Sequence, residues 1–120
     1  MQETTQKQLD IQELIKSDSV DKSLNVVHQN RHIRDSDGYI DGRSYLYDGV
    51  DPEALIERYH GTGQVRFSTA GAWINKEFVT LDRAIGVHID PDTGVSTPTN
   101  IFAIHYSKRR GAHIVPARRD

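Results

Sequence analysis

The feature that most constrains the fold is a change in the spacing of apolar residues at the sequence GTG, residues 61–63. Before it, apolar side chains recur with a helical period of about 3.6, and after it they alternate with a period of about 2. Five segments after the change are predicted as strands: QVRFS, EFVTLD, AIGVHID, NIFAIHYSK and HIVPA. This order predicts an α+β fold with one or more N-terminal helices followed by a twisted antiparallel sheet of about four to five strands.

The clearest helix signal lies directly before this change. Asp51 is a typical N-cap residue and Pro52 suits the first helical position. The apolar stripe of this helix consists of Leu55, Ile56 and Tyr59. Gly61 or Gly63 is expected to end it, because glycine readily adopts the backbone conformation that follows a helix.

The first 24 residues differ in composition from the rest of the chain, being rich in Gln, Asp, Glu and Ser. They carry one short helical stripe, formed by Leu9, Ile11, Leu14 and Ile15. We therefore expect a polar, partly helical lead-in over residues 1–24 and the functional domain over residues 25–120.

Composition excludes several classes of protein. The 120 residues fit one domain, and the absence of cysteine rules out disulfides and Cys-based metal sites. No apolar run approaches the roughly 20 residues of a membrane span, and the N-terminus lacks the pattern of a signal peptide. We expect a soluble domain without membrane association, whose export signal, if it is exported, lies on a longer parent chain.

Charge is distributed unevenly along the chain. The net charge is −2, yet residues 104–120 carry two arginine pairs and a lysine against the single carboxylate Asp120. The basic residues are Lys108, Arg109, Arg110, Arg118 and Arg119. This end is suited to a polyanionic partner, and the competing interpretation is a solvated turn followed by a frayed tail.

The last two predicted strands carry the most chemistry. Alternation in TNIFAIHYSK places Phe102, Ile104 and Tyr106 on a core face and His105 and Ser107 on the opposite face. A three-residue RRG loop, with Gly111 in the left-handed conformation, would set Ser107 opposite His113. His105, Ser107 and His113 would then share the face away from the core.

Polar groups on such a face have several possible meanings. Histidines on a half-wet sheet need no function, although imidazole is the natural proton donor and acceptor near neutral pH. A zinc site lacks cysteines, a nearby carboxylate cluster and the H-E-x-x-H spacing. A serine hydrolase lacks the G-x-S-x-G turn around Ser44 or Ser107. We therefore expect no metal and no cofactor.

Five motifs occur in an order that resembles a known family. HQNRHI, GYIDGRSYL, DPEALIERYHGTG, NKEFVTLDRAIGV and TNIFAIHYSKRRGAHIVPA are similar to the C-terminal toxin domain called polymorphic toxin type 50, which also occurs as a nuclease-like domain on phage head proteins. The resemblance runs from about Val27 to Ala117. It implies an α+β fold of the barnase, EndoU, colicin and RelE group of metal-independent ribonucleases, and thus a ribonuclease-like toxin domain over residues 25–120.

By this resemblance, a set of motif residues is expected to form the site. The catalytic set is His32, Arg43, Thr80, His105, Ser107 and His113, and the RNA- or phosphate-binding set is Arg43, Ser44, Lys108, Arg109 and Arg110. Metal-free cleavage needs a base for the 2′-hydroxyl, an acid for the leaving oxygen and cations for the phosphorane. His105 and His32 are expected to be the acid and base, in an order left open. Lys76 and Glu77 match the family too, but are expected to be a solvated strand start.

The resemblance also implies partners and a place of action. The expected substrate is RNA, with tRNA favoured, and the expected inhibitor is a cognate, acidic immunity protein. We expect the domain to be exported within a larger protein and delivered to the cytoplasm of a target cell. Two alternatives stay open: a non-enzymatic phage head module that binds nucleic acid, and an ADP-ribosyltransferase, for which a paired-Glu loop is lacking.

Overall fold

The computed structural model of the protein describes residues 5–107 and 109–118. Within these residues the helices are α1 (Gln6–Lys16), α2 (Val26–Asn30) and α3 (Pro52–Tyr59). The strands are β1 (Tyr45–Leu46), β2 (Gln64–Phe67), β3 (Trp73–Thr80), β4 (Gly86–Ile89), β5 (Ser96–Thr99), β6 (Ile101–Ser107) and β7 (Gly111–Ala117). They form two antiparallel sheets, so the predicted α+β class is confirmed.

Helix α3 begins and ends where the sequence predicts. The Asp51 carboxylate accepts hydrogen bonds from the backbone N–H groups of Glu53 and Ala54, at 3.0 and 3.3 Å. The helix stops before Gly61, whose φ of +76° is costly for other residues. None of the helices in the described residues is long and apolar enough to cross a membrane.

The larger sheet has the strand order β2-β3-β6-β7 and carries the core on one face. Phe102, Ile104 and Tyr106 of β6 point into this core, with exposed fractions of 0%, 0% and 6%. The predicted core face of this strand is therefore confirmed. Helix α1 contributes Ile15 to the same core and α3 contributes Leu55 and Ile56.

Glutamine side chains cover both edges of this sheet. On the β7 edge, the buried Gln29 amide donates to the Ile114 carbonyl at 2.9 Å and accepts from the Ile114 N–H at 2.7 Å. On the β2 edge, the Gln8 amide does the same with Val65, at 2.7 and 3.0 Å. These contacts satisfy edge groups that would otherwise be available to pair with another chain, and they attach α1 and α2 to the sheet.

The smaller sheet has the order β1-β4-β5 and was only partly expected. The segment AIGVHID does form a strand, β4, but it pairs with Tyr45–Leu46 and Ser96–Thr99 rather than joining the main sheet. In the sequence around α2 and β1, turn-forming residues separate pieces that are too short to predict a sheet. Its structure depends on distant partners, which local periodicity does not record.

The hairpin between β6 and β7 differs from the prediction by two residues in register. Ser107 pairs with Gly111, and His105 pairs with His113, whereas the predicted partner of His113 was Ser107. Gly111 has a φ of +80°, as expected for the left-handed position. Because strand faces repeat every two residues, the shift leaves all three polar side chains on the predicted face.

Glu77 was expected to be solvated and is instead fully buried. Its carboxylate accepts hydrogen bonds from the N–H groups of Gly61 and Gly63 at 3.0 and 2.7 Å, and from the Tyr106 hydroxyl at 2.7 Å. Burial raises the pKa of the Tyr106 hydroxyl, and the neighbouring Glu77 carboxylate raises it further. Glu77 therefore fixes the turn between α3 and β2.

Candidate functional site

A row of polar side chains crosses the outward face of the larger sheet. Lys76 of β3 pairs with His105 of β6, and His105 pairs with His113 of β7. The rings of His105 and His113 are 4.9 Å apart, centroid to centroid. The sheet alone thus brings together a lysine and two histidines that lie far apart in the sequence.

Helix α2 and the turn after it add two more imidazoles. The His32 ring stacks on His113 at 5.9 Å with an interplanar angle of 10°, and the His28 ring meets His113 edge-on at 5.3 Å. We call His28, His32, His105 and His113 the histidine cluster. His113 lies at its centre, since it contacts the other three rings.

His32 is held by its backbone surroundings. It is only 6% exposed, and its Nδ1–H donates to the Ser44 carbonyl at 2.8 Å, so its Nε2 carries the free lone pair. The Ser44 hydroxyl accepts from the Ile89 N–H at 2.9 Å, which ties this loop to β4. Burial lowers the pKa of His32, and the hydrogen bond to Ser44 acts in the opposite direction.

Burial also keeps the two strand histidines neutral. It lowers the pKa of His105 to about 4, with the positive charge of Lys76 as the next cause. It lowers the pKa of His113 to about 3, and the neighbouring His105 and His32 act in the same direction. At neutral pH His105 and His113 are therefore uncharged in the free protein.

An open groove of about 780 Å³ runs over this part of the sheet. His32 and His105 are among its lining residues, together with Ser44 from the loop before β1. The charged side chains that line it are four cations and one carboxylate: Arg43, Arg66, Lys76, Arg118 and Asp41. The excess of positive charge suits an anionic ligand.

Two of the four cations have interactions within the protein. Arg66 lies over the Phe78 ring, 4.1 Å from its centroid. Arg118 forms an ion pair with Asp90 at 3.3 Å, in which the arginine side chain is 65% exposed. Both line the groove, and the exposed ion pair of Arg118 holds its partners only weakly.

The other residues predicted from the sequence lie around the groove rather than in it. His113 supports the rings of His32 and His105, and Thr80 lines a neighbouring concavity. Ser107 lies two residues after His105 in β6, on the same face of the sheet. Arg109 and Arg110 are exposed at the hairpin turn. Lys108 lies outside the described residues.

Sequence reasoning missed several residues of this region. The residues predicted for the site do not include His28 or His88, yet His28 joins the histidine cluster and His88 lines the groove. Arg66 and Arg118 also line it. For His88 the sequence carries a signal, which is the alternation in AIGVHID. This alternation places His88 and Gly86 on the strand face opposite to the buried Val87. His28 had none, since its partner lies on a distant strand.

The histidine cluster is not arranged as a set of metal ligands. In residues 5–107 and 109–118, no group of three or more His, Asp or Glu side chains could hold a metal ion. The rings contact each other by stacking and by their edges. The cluster can thus supply proton donors and acceptors and a rigid support for them.

The family to which the chain belongs follows from comparison with known sequences. Among curated proteins no sequence matches this one significantly. The family model described as bacterial toxin 50 matches residues 24–116, which include α2, the smaller sheet, all but the last residue of the larger sheet and every residue of the histidine cluster. The resemblance noted in the sequence is therefore confirmed, and the chain belongs to the bacterial toxin 50 family.

Proposed function

We propose that this toxin domain is a metal-independent endoribonuclease that cleaves RNA by attack of a 2′-hydroxyl on the adjacent phosphodiester. One observation carries the proposal: His32 and His105 line a single groove that also carries four cationic side chains. General acid, general base and phosphate stabilisation are the three functions that such cleavage needs.

His32 is assigned the role of general base. Its Nδ1–H is engaged by the Ser44 carbonyl, which leaves Nε2 unprotonated and able to accept the 2′-hydroxyl proton. The lowered pKa of His32 keeps this nitrogen free at neutral pH. DNA lacks the attacking hydroxyl, so it should not be cleaved.

His105 is assigned the role of general acid, which donates a proton to the leaving 5′-oxygen. With a pKa of about 4 it is neutral in the free protein, so it must gain its proton when substrate binds. A bound phosphate supplies the negative charge that favours this, because an anion near an imidazole raises its pKa. The phosphate would also offset the positive charge of Lys76, which pairs with His105 across the sheet.

The remaining predicted residues are assigned to binding and positioning. Arg43 and Lys76 would hold the scissile phosphate, while His113 and Ser44 keep the catalytic imidazoles in place. Arg109 and Arg110, together with Lys108, would contact the RNA backbone from the hairpin turn. Thr80 and Ser107 flank the catalytic pair on the same face of the sheet.

The biological setting belongs to the same proposal. The favoured substrate is tRNA, reached after delivery of the domain to the cytoplasm of a target cell as part of a larger exported protein. A cationic groove favours an acidic immunity protein, since opposite charges speed association. Such an inhibitor would protect the producing cell by covering the groove.

The test is incubation of the protein with total RNA in EDTA, followed by analysis of the new ends. The proposal predicts full cleavage without metal and products that end in a 2′,3′-cyclic phosphate. A strict requirement for added Mg²⁺ or Zn²⁺ would rule out the metal-independent mechanism. Binding of RNA without any cleavage would favour the non-enzymatic nucleic-acid-binding module instead.

A further inference from the structure

A second concavity adjoins the groove at the end of the larger sheet where β2 and β6 begin and β3 ends. Its volume is about 560 Å³, and it shares Arg66, Phe78 and Arg118 with the groove. The residues that line only the second concavity include Tyr59, Thr62, Gln64, Thr80 and Ile101. Because three lining residues are common to both, the two lie side by side, and we call them together the channel.

The sheet register gives the length of this channel. On the outward face of the sheet, three successive cross-strand pairs are Lys76 with His105, Phe78 with Ala103, and Thr80 with Ile101. Four residues along a strand separate the first pair from the last, a distance of about 13 Å. Each strand of duplex DNA advances by about 3.4 Å per nucleotide, so a span of about 13 Å exceeds the advance of a single nucleotide severalfold. An RNA chain held at His105 by its scissile phosphate therefore has room to place a further nucleotide beyond Phe78.

The side chains of the second concavity have the chemistry of a nucleotide site. Gln64, directly opposite Phe78 in the sheet, offers an amide with both a donor and an acceptor, as base edges require. The Arg66 guanidinium, 4.1 Å above the Phe78 ring, presents a flat cationic surface on which a base can stack. Among the described residues, no carboxylate lines this concavity.

We propose that the second concavity is a nucleotide subsite for single-stranded RNA. Two nucleotides flank the scissile phosphate, and the subsite holds the base of the next nucleotide along the chain. The inference rests on the proposed function, because it takes the phosphate at His105 as its reference point. The base must be unpaired, since stacking on Arg66 and hydrogen bonding to Gln64 require free faces and edges. Thr80 contributes to binding there through its exposed hydroxyl.

The experiment measures binding of non-cleavable 2′-O-methyl oligonucleotides to the intact protein at fixed salt. A hexanucleotide can occupy both parts of the channel, whereas a dinucleotide held at His105 is too short to reach Thr80. The double variant Gln64→Leu/Thr80→Val should weaken hexanucleotide binding about tenfold and change dinucleotide binding less than about twofold. Gln6→Leu, which alters an exposed glutamine that lines neither concavity, is the matched control.

The outcomes separate this inference from the proposed function. An equal loss of affinity for both lengths, or no loss for either, would overturn the subsite. The oligonucleotides lack the attacking hydroxyl, so the measurement is independent of whether the protein cleaves RNA. Failure of the proposed function would show instead as absence of cleavage in the EDTA experiment, and a length-dependent loss of binding would still support the subsite.

Discussion

At the level of single residues, a backbone carbonyl determines what His32 can do. The Ser44 carbonyl accepts only from a protonated Nδ1, which makes Nε2 the basic nitrogen. His105 has no such hydrogen bond to any residue that the structure describes, and its protonation state is set mainly by burial and by Lys76. Two imidazoles of the same chemical type thus acquire different roles from their surroundings.

These surroundings predict an unusual pH dependence. The value of kcat/KM depends on groups of the free enzyme and is greatest midway between the pKa of the base and that of the acid. Two ordinary histidines would place this maximum at about pH 6.5. Because the pKa of His105 is about 4 and that of His32 is also lowered, the maximum should fall below pH 6.5.

The measurement is a profile of kcat/KM against pH on a short RNA, for the wild type and for Lys76→Gln. Removing the lysine charge should raise the pKa of His105 and move the maximum towards higher pH. A wild-type maximum at pH 7 or above would contradict the assigned pair.

At the level of elements, the attachment of α2 to β7 positions half of the histidine cluster. Gln29 makes two hydrogen bonds with Ile114, next to His113 in the strand, and the His32 N–H donates to the Gln29 carbonyl at 2.9 Å. The site thus depends on a contact between residues 85 positions apart. Gln8 makes the equivalent contact on the opposite edge of the sheet, away from the cluster.

The pair of glutamines offers a matched experiment. Gln29→Leu leaves the N–H and C=O of Ile114 without partners and should lower the free energy of unfolding by about 2 to 4 kcal/mol. Gln8→Leu, at a half-buried position, should cost less, about 1 to 2 kcal/mol. Denaturant unfolding gives both values.

Activity distinguishes the two variants further. Turnover per folded molecule should fall in Gln29→Leu, since His28 and His32 lose their support, and should persist in Gln8→Leu. Equal activity of the two folded variants would show that the α2 contact is not needed to position the site.

The same contacts explain what the sequence could and could not predict. Helix α3 and strands β6 and β7 are predicted with the correct faces because their signals are local. These signals are the N-cap of α3, the alternation of apolar residues in the strands and the glycine of the hairpin. Helix α2 is five residues long and is held by Ile114, and its one local signal, the N-cap Asn25, is too little to predict so short a helix. Likewise, the burial of Glu77 depends on two glycine N–H groups in the turn between α3 and β2. A pattern within a short stretch of sequence does not record hydrogen bonds to residues that are distant along the chain.

At the level of the whole molecule, the two sheets and the two helix attachments bring side chains as distant in sequence as His28 and Arg118 to one face. Together these side chains produce a cationic groove beside neutral imidazoles. The central claim is that His105 transfers a proton within this groove. Replacing it tests the claim most directly, because His105 is neutral in the free protein and gains its proton only with the phosphate bound, so its loss should affect turnover far more than affinity. The matched control is His60→Ala, since the His60 ring contacts only its own helix, at the Ile56 carbonyl, among the described residues.

The decisive measurement is therefore kcat on RNA in EDTA for His105→Ala and His60→Ala, with folding checked by denaturant unfolding. His105→Ala should lower kcat by about 10² or more and leave RNA affinity nearly unchanged, while His60→Ala keeps wild-type turnover. If folded His105→Ala retains wild-type kcat, the imidazoles on this sheet face do not carry out the reaction and the account of the site is wrong.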